Sequence, residues 1–227
     1  MDLGLNGKRA LVLGSSQGIG AEIARVLARE GCNVYVGARR LDHIQSLADE
    51  LSEEFNVDAK AYPIDLSDGI SVEELCEKIT HEWKIDILLN NAGGPPPSPS
   101  TGVRDEIWES SLQSLLMSTI RLSEAAVKGM RERGWGRILT VASSGVIQPI
   151  PNLAVSNTVR SAVVGFTKTL SNEVAKDGIT VNMVLPGRID TERLASIHKA
   201  SAYKQGMTYE EFRDNSRSSI PACRFGT

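Results

Sequence analysis

Ser156 and Arg160 are the residues whose types and spacing first suggest chemistry in this sequence. They lie four apart in the stretch NLAVSNTVRSAVVGFTKTL, residues 152–170, and residues four apart share one face of a helix. A serine hydroxyl donates and accepts hydrogen bonds, whereas an arginine side chain stays protonated in proteins. The pair can therefore hold a polar or anionic ligand, but Arg160 cannot shuttle a proton.

A helix must carry this pair, because apolar residues recur at helical spacing through the same stretch. We predict a helix over residues 152–176 with one apolar stripe, formed by Leu153, Val159, Val163, Phe166 and Leu170. Ser156 and Arg160 fall near its start, where a site would open. From these residues alone the pair is an active site, the altered remnant of one, or two polar residues on a solvated face.

Short β-branched runs alternate with longer helical patterns along the whole chain. The strands are predicted at 9–14, 33–38, 58–64, 85–90, 137–142 and 179–185, and the helices at 18–31, 41–55, 70–83, 103–133 and 152–176. This alternation predicts an α/β fold with a doubly wound parallel sheet, and several strands are apolar on consecutive residues because helices cover both faces. No linker divides the sequence, so we expect one domain over residues 1–227.

The first predicted strand runs into GSSQGIG, residues 14–20, at the start of a helix. Glycines let the backbone approach a ligand closely, and free N–H groups at a helix start bind phosphate. A glycine-rich turn between the first strand and helix of such a fold indicates dinucleotide binding. The structural alternative is a tight turn that packs the helix closely.

The end of the second strand indicates which dinucleotide is bound. Many NAD-binding proteins carry an acidic residue there for the ribose 2′-hydroxyl, whereas an arginine accommodates a 2′-phosphate. The sequence VGARRLD has no acid at the strand end, and Arg39 and Arg40 follow Ala38. We therefore expect NADP(H) in preference to NAD(H), with Arg39 at the 2′-phosphate and Arg40 at the solvated surface.

Together these motifs resemble the short-chain dehydrogenase/reductase family over essentially the whole chain. GSSQGIG resembles the family's Gly-x-x-x-Gly-x-Gly turn, NNAG at 90–93 its motif after the fourth strand, and GFTKTLSNEVAKDGITVNMVLPGRIDT at 165–191 its long helix, sixth strand and Pro-Gly turn. The chain is most similar to 3-oxoacyl-[acyl carrier protein] reductases and to sugar and alcohol dehydrogenases. The resemblance implies a Rossmann-like fold with strand order 3-2-1-4-5-6, in which the family's usual seventh strand is missing.

The resemblance also implies where the cofactor lies. The pyrophosphate and adenosine ribose would contact Gly14, Ser16, Gln17, Gly18, Ile19 and Gly20, and the 2′-phosphate Arg39. Asp65 and Leu66 would flank the adenine, and Asn91, Ala92 and Gly93 would line the middle of the cofactor. Arg160, Pro186, Gly187, Ile189 and Thr191 would hold the nicotinamide end. Asn90 would serve equally well as a ligand contact or as a tie between strands.

The family's catalytic group is an Asn, a Ser and a Tyr-x-x-x-Lys pair, and this chain departs from it. The Tyr and Lys positions hold Ser156 and Arg160, the Asn position holds Leu115, and Ser143, with Ser144 as its neighbour, keeps the serine. A serine hydroxyl is a poor general acid near neutral pH. Leu115 also lies on an apolar helical stripe, which predicts a core residue.

Two functions follow from the resemblance. In the first, an NADP(H)-dependent oxidoreductase acts on a carbonyl or alcohol, Ser143 orients the substrate, and the proton comes from water, Ser156 or a residue of 195–215. In the second, an NADP(H)-binding pseudoenzyme senses or scaffolds without turnover. The segment 188–215 would cover the substrate, and Arg160, Arg188 and Arg193 favour an anionic substrate if they converge.

Composition excludes other classes. The chain of 227 residues is 41% hydrophobic and 23% charged with a net charge of −3, so no basic surface for nucleic acid is expected. Its three cysteines and three histidines are scattered, which predicts neither a disulfide framework nor a metal site. No stretch suits a membrane span or a signal peptide, so we expect a cytoplasmic protein that forms a homodimer or homotetramer.

Overall fold

The structure, a computed structural model, describes all 227 residues and divides into two compact units. The first unit is Met1–Leu185 and the second is Pro186–Thr227. Each is described by itself below. A single domain over the whole chain stays a prediction.

A parallel sheet of six strands forms the centre of the first unit. Its strands are β1 (Arg9–Leu13), β2 (Asn33–Ala38), β3 (Ala59–Pro63), β4 (Ile87–Asn90), β5 (Gly136–Val141) and β6 (Ile179–Val184). They are ordered β3-β2-β1-β4-β5-β6 and every neighbouring pair is parallel. The predicted doubly wound fold and its strand order are confirmed.

The first unit also contains six α-helices. They are α1 (Gly18–Arg29), α2 (Leu41–Phe55), α3 (Gly69–His81), α4 (Asp105–Ser111), α5 (Ser118–Arg133) and α6 (Ala154–Val174). Leu11 and Leu13 of β1 are buried among residues of α3, α5 and α6, whereas Ala10 and Val12 are buried among residues of α1 and α2. Alternate residues of one strand thus enter two separate cores, which explains why the strand is apolar throughout.

One turn of π-helix, Leu112–Met117, lies between α4 and α5. The hydroxyls of Ser118 and Thr119 donate to the carbonyls of Ser114 and Leu115, at 2.7 and 2.8 Å. The side chain of Leu115 is buried and packs with Val155 and Val159 of α6, so the prediction of a core leucine is confirmed. Periodicity alone predicted one helical segment over 103–133 and did not reveal the π turn.

The second unit contains two helices, α7 (Glu192–Gln205) and α8 (Tyr209–Ser218). Its chain ends pair through backbone hydrogen bonds from Asp190 N to Gly226 O and from Gly226 N to the carbonyl of Arg188, at 2.8 and 3.0 Å. Thr191 caps α7, because its hydroxyl accepts a hydrogen bond from the backbone N–H of Leu194.

His198 lies at the centre of this unit with 3% of its surface exposed. Its ring contacts the rings of Phe212 and Phe225, with centroids 5.3 and 5.7 Å apart. Nε2 lies 3.1 Å from the Ser216 hydroxyl, and Nδ1 is buried without a hydrogen-bond partner. Burial therefore lowers the pKa of His198, and the positive charges of two nearby arginines lower it further.

No helix of the chain is both long enough and apolar enough to cross a membrane.

We expect acid to loosen the second unit through His198. The unfolded chain binds a proton near pH 6.5, whereas the folded unit resists it, so the free energy of opening is largest above pH 6.5 and falls as the pH drops below it. The fall is at most about 1.4 kcal/mol per pH unit. Hydrogen–deuterium exchange of α7 and α8 at pH 7.5 and 5.5, corrected for intrinsic rates, measures the effect.

The matched controls are two histidine substitutions. His198→Gln removes the titrating group and should make the protection of α7 and α8 independent of pH over this range. His43→Gln alters an exposed histidine in α2 and should leave the wild-type pH dependence in place. Equal protection at both pH values in the wild-type protein would contradict the assignment.

Candidate cofactor site

The glycine-rich turn, residues 14–20, joins β1 to α1 and has no room for side chains at two of its glycines. A Cβ atom on Gly20 would overlap the carbonyl oxygen of Gly14 and lie 2.8 Å from the amide nitrogen of Asn91. Gly14 has φ +60° as well, and a Cβ there would lie 2.6 Å from the Asn91 carbonyl. Glycine is required at both positions by geometry alone.

Asn91 ties this turn to the end of β4. Its side-chain amide donates to the carbonyls of Leu13 and Gly14, both at 3.2 Å. The sequence placed Asn91 at the middle of the cofactor, and the structure adds a scaffolding role for the same side chain. Asn90, which the sequence left open between tie and ligand contact, donates its amide to the Ser123 hydroxyl at 3.1 Å.

The first turn of α1 presents its backbone N–H groups without a side-chain cap. Gln17 at the N-cap is extended and accepts no hydrogen bond from the helix. Ser15 is fully buried and donates its hydroxyl to the Gly37 carbonyl of β2 at 3.3 Å, which fixes the turn beside the second strand. Uncapped N–H groups and the positive end of the helix dipole together suit a phosphate group.

The two arginines after β2 have different neighbours. Arg40 is exposed, as expected, but its guanidinium also donates to the side chains of Gln17 and Ser16. Arg39 is exposed, and its charge acts on the carboxyl group of Asp65. The sequence assigned the 2′-phosphate to Arg39 alone, and nothing in its pattern showed the contact between Arg40 and the turn.

Asp65, at the expected adenine edge, is turned toward its own loop. Burial acts to raise the pKa of its carboxyl group, but hydrogen bonds from Ser67 and the charge of Arg39 outweigh burial and lower that pKa. The Ser67 hydroxyl and backbone N–H donate to one carboxylate oxygen at 2.7 and 2.9 Å. The carboxylate therefore stays ionised and sets the conformation of residues 65–67.

Ser156 and Arg160 lie in the first two turns of α6 and are both half-buried. Ser143 lies at the end of the β5 segment, where it caps the short 3₁₀ turn Ser144–Val146. Its hydroxyl oxygen accepts a hydrogen bond from the backbone N–H of Gly145 at 3.1 Å. The hydroxyl proton of Ser143 is not used in that bond and can be donated to a ligand oxygen.

Arg160 bridges the carboxyl ends of β4 and β5. Its guanidinium donates to the carbonyl of Val141 at 2.9 Å and to that of Ala92 at 3.5 Å. Val141 ends β5, and Ala92 belongs to the NNAG motif after β4. Carbonyl oxygens satisfy the N–H donors of a partly buried cation. The residue at the family's lysine position thus fastens the two strand ends that border the predicted nicotinamide site.

The residues predicted to hold the nicotinamide end after β6 belong to the second unit. Thr191 caps α7, and Ile189 forms an isolated bridge with Gly226. The described chain contains no group of three or more His, Cys, Asp or Glu side chains placed to hold a metal. The cofactor contacts of Pro186, Gly187, Ile189 and Thr191 remain predictions.

Comparison with known proteins shows the same fold. The sequence profile of the family described as short chain dehydrogenase matches residues 8–202. The 3-oxoacyl-[acyl-carrier-protein] reductase FabG of Escherichia coli strain K12 is 36% identical over 193 residues, which cover 84% of this chain and 77% of that protein.

Two solved structures are similar over nearly the whole chain. L-sorbose reductase of Gluconobacter frateurii, complexed with NADPH and L-sorbose, has a TM-score of 0.92 at 33% identity. The match covers 100% of this chain and 87% of that chain. A single-residue variant of actinorhodin polyketide ketoreductase, in complex with NADPH, has a TM-score of 0.89 at 35% identity. The match covers 96% of this chain and 85% of that chain.

The steric requirement at Gly20 yields a stability prediction. Gly20→Ala should lower the free energy of unfolding by about 1–3 kcal/mol, because the new methyl group overlaps the Gly14 carbonyl and the Asn91 amide. Thermal unfolding followed by circular dichroism measures the change.

Gly165→Ala is the matched control for this substitution. Gly165 lies inside α6, and a Cβ there meets nothing within 4 Å. Helix propensity predicts that this variant gains about 0.5–1 kcal/mol. Equal thermal stability of the two variants would show that the turn tolerates a side chain at Gly20.

Proposed function

The chain belongs to the short-chain dehydrogenase family, and we propose that it is an NADP(H)-dependent oxidoreductase that acts on a carbonyl or alcohol carbon. The observation that carries this proposal is the geometry of the glycine-rich turn and the start of α1, which suits a dinucleotide. A turn with glycine at its two most crowded positions leads into an uncapped helix, and Asn91 ties that turn to the end of β4. When bound, the nicotinamide cofactor supplies or accepts the hydride.

The preference for NADP(H) rests on two positive charges at the end of β2. No acidic residue stands at this strand end, and Arg39 and Arg40 follow it directly. Arg40 is already directed at the glycine-rich turn through Ser16 and Gln17. Guanidinium groups form charge-assisted hydrogen bonds to phosphate, so both arginines suit a 2′-phosphate. The NADPH complexes of the two solved relatives support the same choice.

The catalytic roles follow from the chemistry of three side chains. The Ser143 hydroxyl accepts a hydrogen bond from Gly145 N–H and orients the substrate by donating a hydrogen bond to its oxygen. Arg160 holds the strand ends and places a permanent positive charge near the reacting centre, which stabilises negative charge that develops on that oxygen. Because Arg160 cannot lose a proton, the proton reaches the oxygen from water, from Ser156 or from a residue of 195–215.

We propose an uncharged substrate in preference to an anion. Arg160 donates to two backbone carbonyls. Arg188 donates to the Ser216 carbonyl and the Ser219 hydroxyl. Each of these two guanidinium groups therefore makes hydrogen bonds within its own unit, and the convergence of Arg160, Arg188 and Arg193 stays a prediction. We propose a neutral carbonyl or alcohol compound, like the L-sorbose bound by the Gluconobacter enzyme. The proposed assembly is a homodimer or homotetramer, with helices of 103–133 and 152–176 at the interface.

Arginine substitutions test the choice of cofactor. Arg39→Ala and Arg40→Ala should each weaken NADPH binding about tenfold or more, since a hydrogen bond to a charged group contributes about 1.5–3 kcal/mol. NADH lacks the 2′-phosphate, and its dissociation constant should change less than about threefold, within about 0.6 kcal/mol. Isothermal titration calorimetry with both cofactors measures the contrast.

Lys60→Ala serves as the control. Lys60 of β3 pairs with Asp58 at the surface, so this substitution should leave both affinities unchanged. A parallel loss of NADPH and NADH affinity in the arginine variants would rule out recognition of the 2′-phosphate by these side chains.

A double substitution tests whether the altered pair is active. Ser156→Tyr with Arg160→Lys installs the family's usual proton donor and its partner. If the chain is an enzyme with a redirected site, the wild-type protein oxidises NADPH with a carbonyl substrate, and the double variant loses at least about tenfold in kcat/KM. The assay follows NADPH absorbance across a panel of neutral ketones and ketoses.

An inert wild-type protein combined with an active double variant would favour the alternative, a cofactor-binding pseudoenzyme. Ser143→Ala is the control for chemistry at this site. It should reduce kcat of the wild-type protein while leaving the dissociation constant for NADPH unchanged, because its hydroxyl is assigned to the substrate oxygen.

A further inference from the structure

Two buried polar groups on neighbouring strands have no hydrogen-bond partner within the protein. They are the side-chain oxygen of Asn90 at the end of β4 and the hydroxyl of Thr140 on β5, with residue exposures of 3% and 4%. A buried polar group left unpaired costs about 1–3 kcal/mol, so nearly all such groups in native proteins find a partner. These two need a shared explanation, because the strands pair Asn90 directly with Thr140.

Their positions aim both groups into one small space. Residues paired in parallel strands lie side by side, with side chains on the same face. The Asn90 amide donates to Ser123 at 3.1 Å, which fixes the orientation of the side chain and turns its oxygen away from that partner. Asn90 and Thr140 both line a cavity that is also lined by Arg160, Thr119 and Leu115.

The size of this cavity suits one water molecule. The centre of a water molecule has about 10 Å³ in which to move there, close to the least that an ordered water requires. A buried water also needs two to four polar partners. The Asn90 oxygen can accept, the Thr140 hydroxyl can donate, and Thr119, whose hydroxyl proton goes to the Leu115 carbonyl, keeps lone pairs that accept.

We propose that one ordered water is bound between Asn90 and Thr140 and that these two residues position Arg160. The water donates to the Asn90 oxygen and accepts from the Thr140 hydroxyl. Val141, whose carbonyl accepts from Arg160 at 2.9 Å, directly follows Thr140, and Ala92, the second carbonyl partner, is two residues after Asn90. The water thus joins β4 and β5 at the point where the guanidinium spans them.

The water site stands on the buried polar atoms alone, whereas its effect on cofactor binding rests on the proposed function. Arg160 borders the predicted nicotinamide end, so a shift of the two strand ends displaces its guanidinium. Asn90 and Thr140 are therefore positioning residues rather than groups that touch the cofactor.

Thr140→Val and Thr140→Ser test the assignment, because valine keeps the shape of threonine without its hydroxyl and serine keeps the hydroxyl. If the water is bound, Thr140→Val removes the hydroxyl that donates a hydrogen bond to it, and the melting temperature should fall by about 2–6 °C. Without a water, the same change removes an unpaired buried hydroxyl, and the melting temperature should rise. Thr140→Ser keeps the donor, so a water in its crystal structure at the wild-type position is the expected result.

A crystal structure of the wild-type protein at high resolution supplies the direct observation. Density for a water within about 3.2 Å of both the Asn90 oxygen and the Thr140 hydroxyl is expected, and its absence overturns the site, as does a higher melting temperature for Thr140→Val.

Calorimetry with NADPH tests the positioning role. The dissociation constant should rise about three- to tenfold in Thr140→Val and recover in Thr140→Ser. An unchanged constant in Thr140→Val overturns the positioning role. If the wild-type protein binds no NADPH, the proposed function fails, while the crystal structure and the melting temperatures still decide the water site.

Discussion

The site depends on one close approach, that of the glycine-rich turn to the loop after β4. Gly14 and Gly20 leave their Cβ positions empty, and the amide of Asn91 occupies the space beside them. This contact is possible because β1 and β4 are neighbours in the sheet. The cofactor edge therefore requires both the strand order of the fold and glycine at these two positions.

Arg160 lies at the position where the resemblance to the family implies a lysine. A lysine ammonium is a compact point charge, whereas a guanidinium is planar and carries five N–H donors in a fixed fork. The donors reach carbonyls on two different strands, Val141 and Ala92. Where the resemblance implies a flexible lysine, the chain therefore has a rigid brace, and in the proposed function Ser143 supplies the hydroxyl that contacts the substrate oxygen. A permanently charged brace supports electrostatic stabilisation and excludes proton transfer through that side chain.

Much of this architecture can be predicted from the sequence, because it rests on local patterns. Consecutive apolar residues in β1 predict a strand buried on both faces, and the spacing of Val159, Val163 and Leu170 predicts the buried face of α6. The π turn Leu112–Met117 could not be predicted, since its residues fit an ordinary helical stripe. Neither could the contact of Arg40 with Gln17, nor the unpaired oxygen of Asn90, because both depend on side-chain conformations and contacts between segments far apart in the sequence.

A calorimetric titration of the purified wild-type protein with NADPH, and separately with NADH, tests the central claim most directly. It requires no knowledge of the substrate and no turnover. The preserved turn and the arginine pair predict saturable binding of NADPH that is at least about tenfold tighter than that of NADH. Absence of binding to either cofactor by a folded protein would contradict the account, because the glycine-rich turn and its contacts would then serve packing alone.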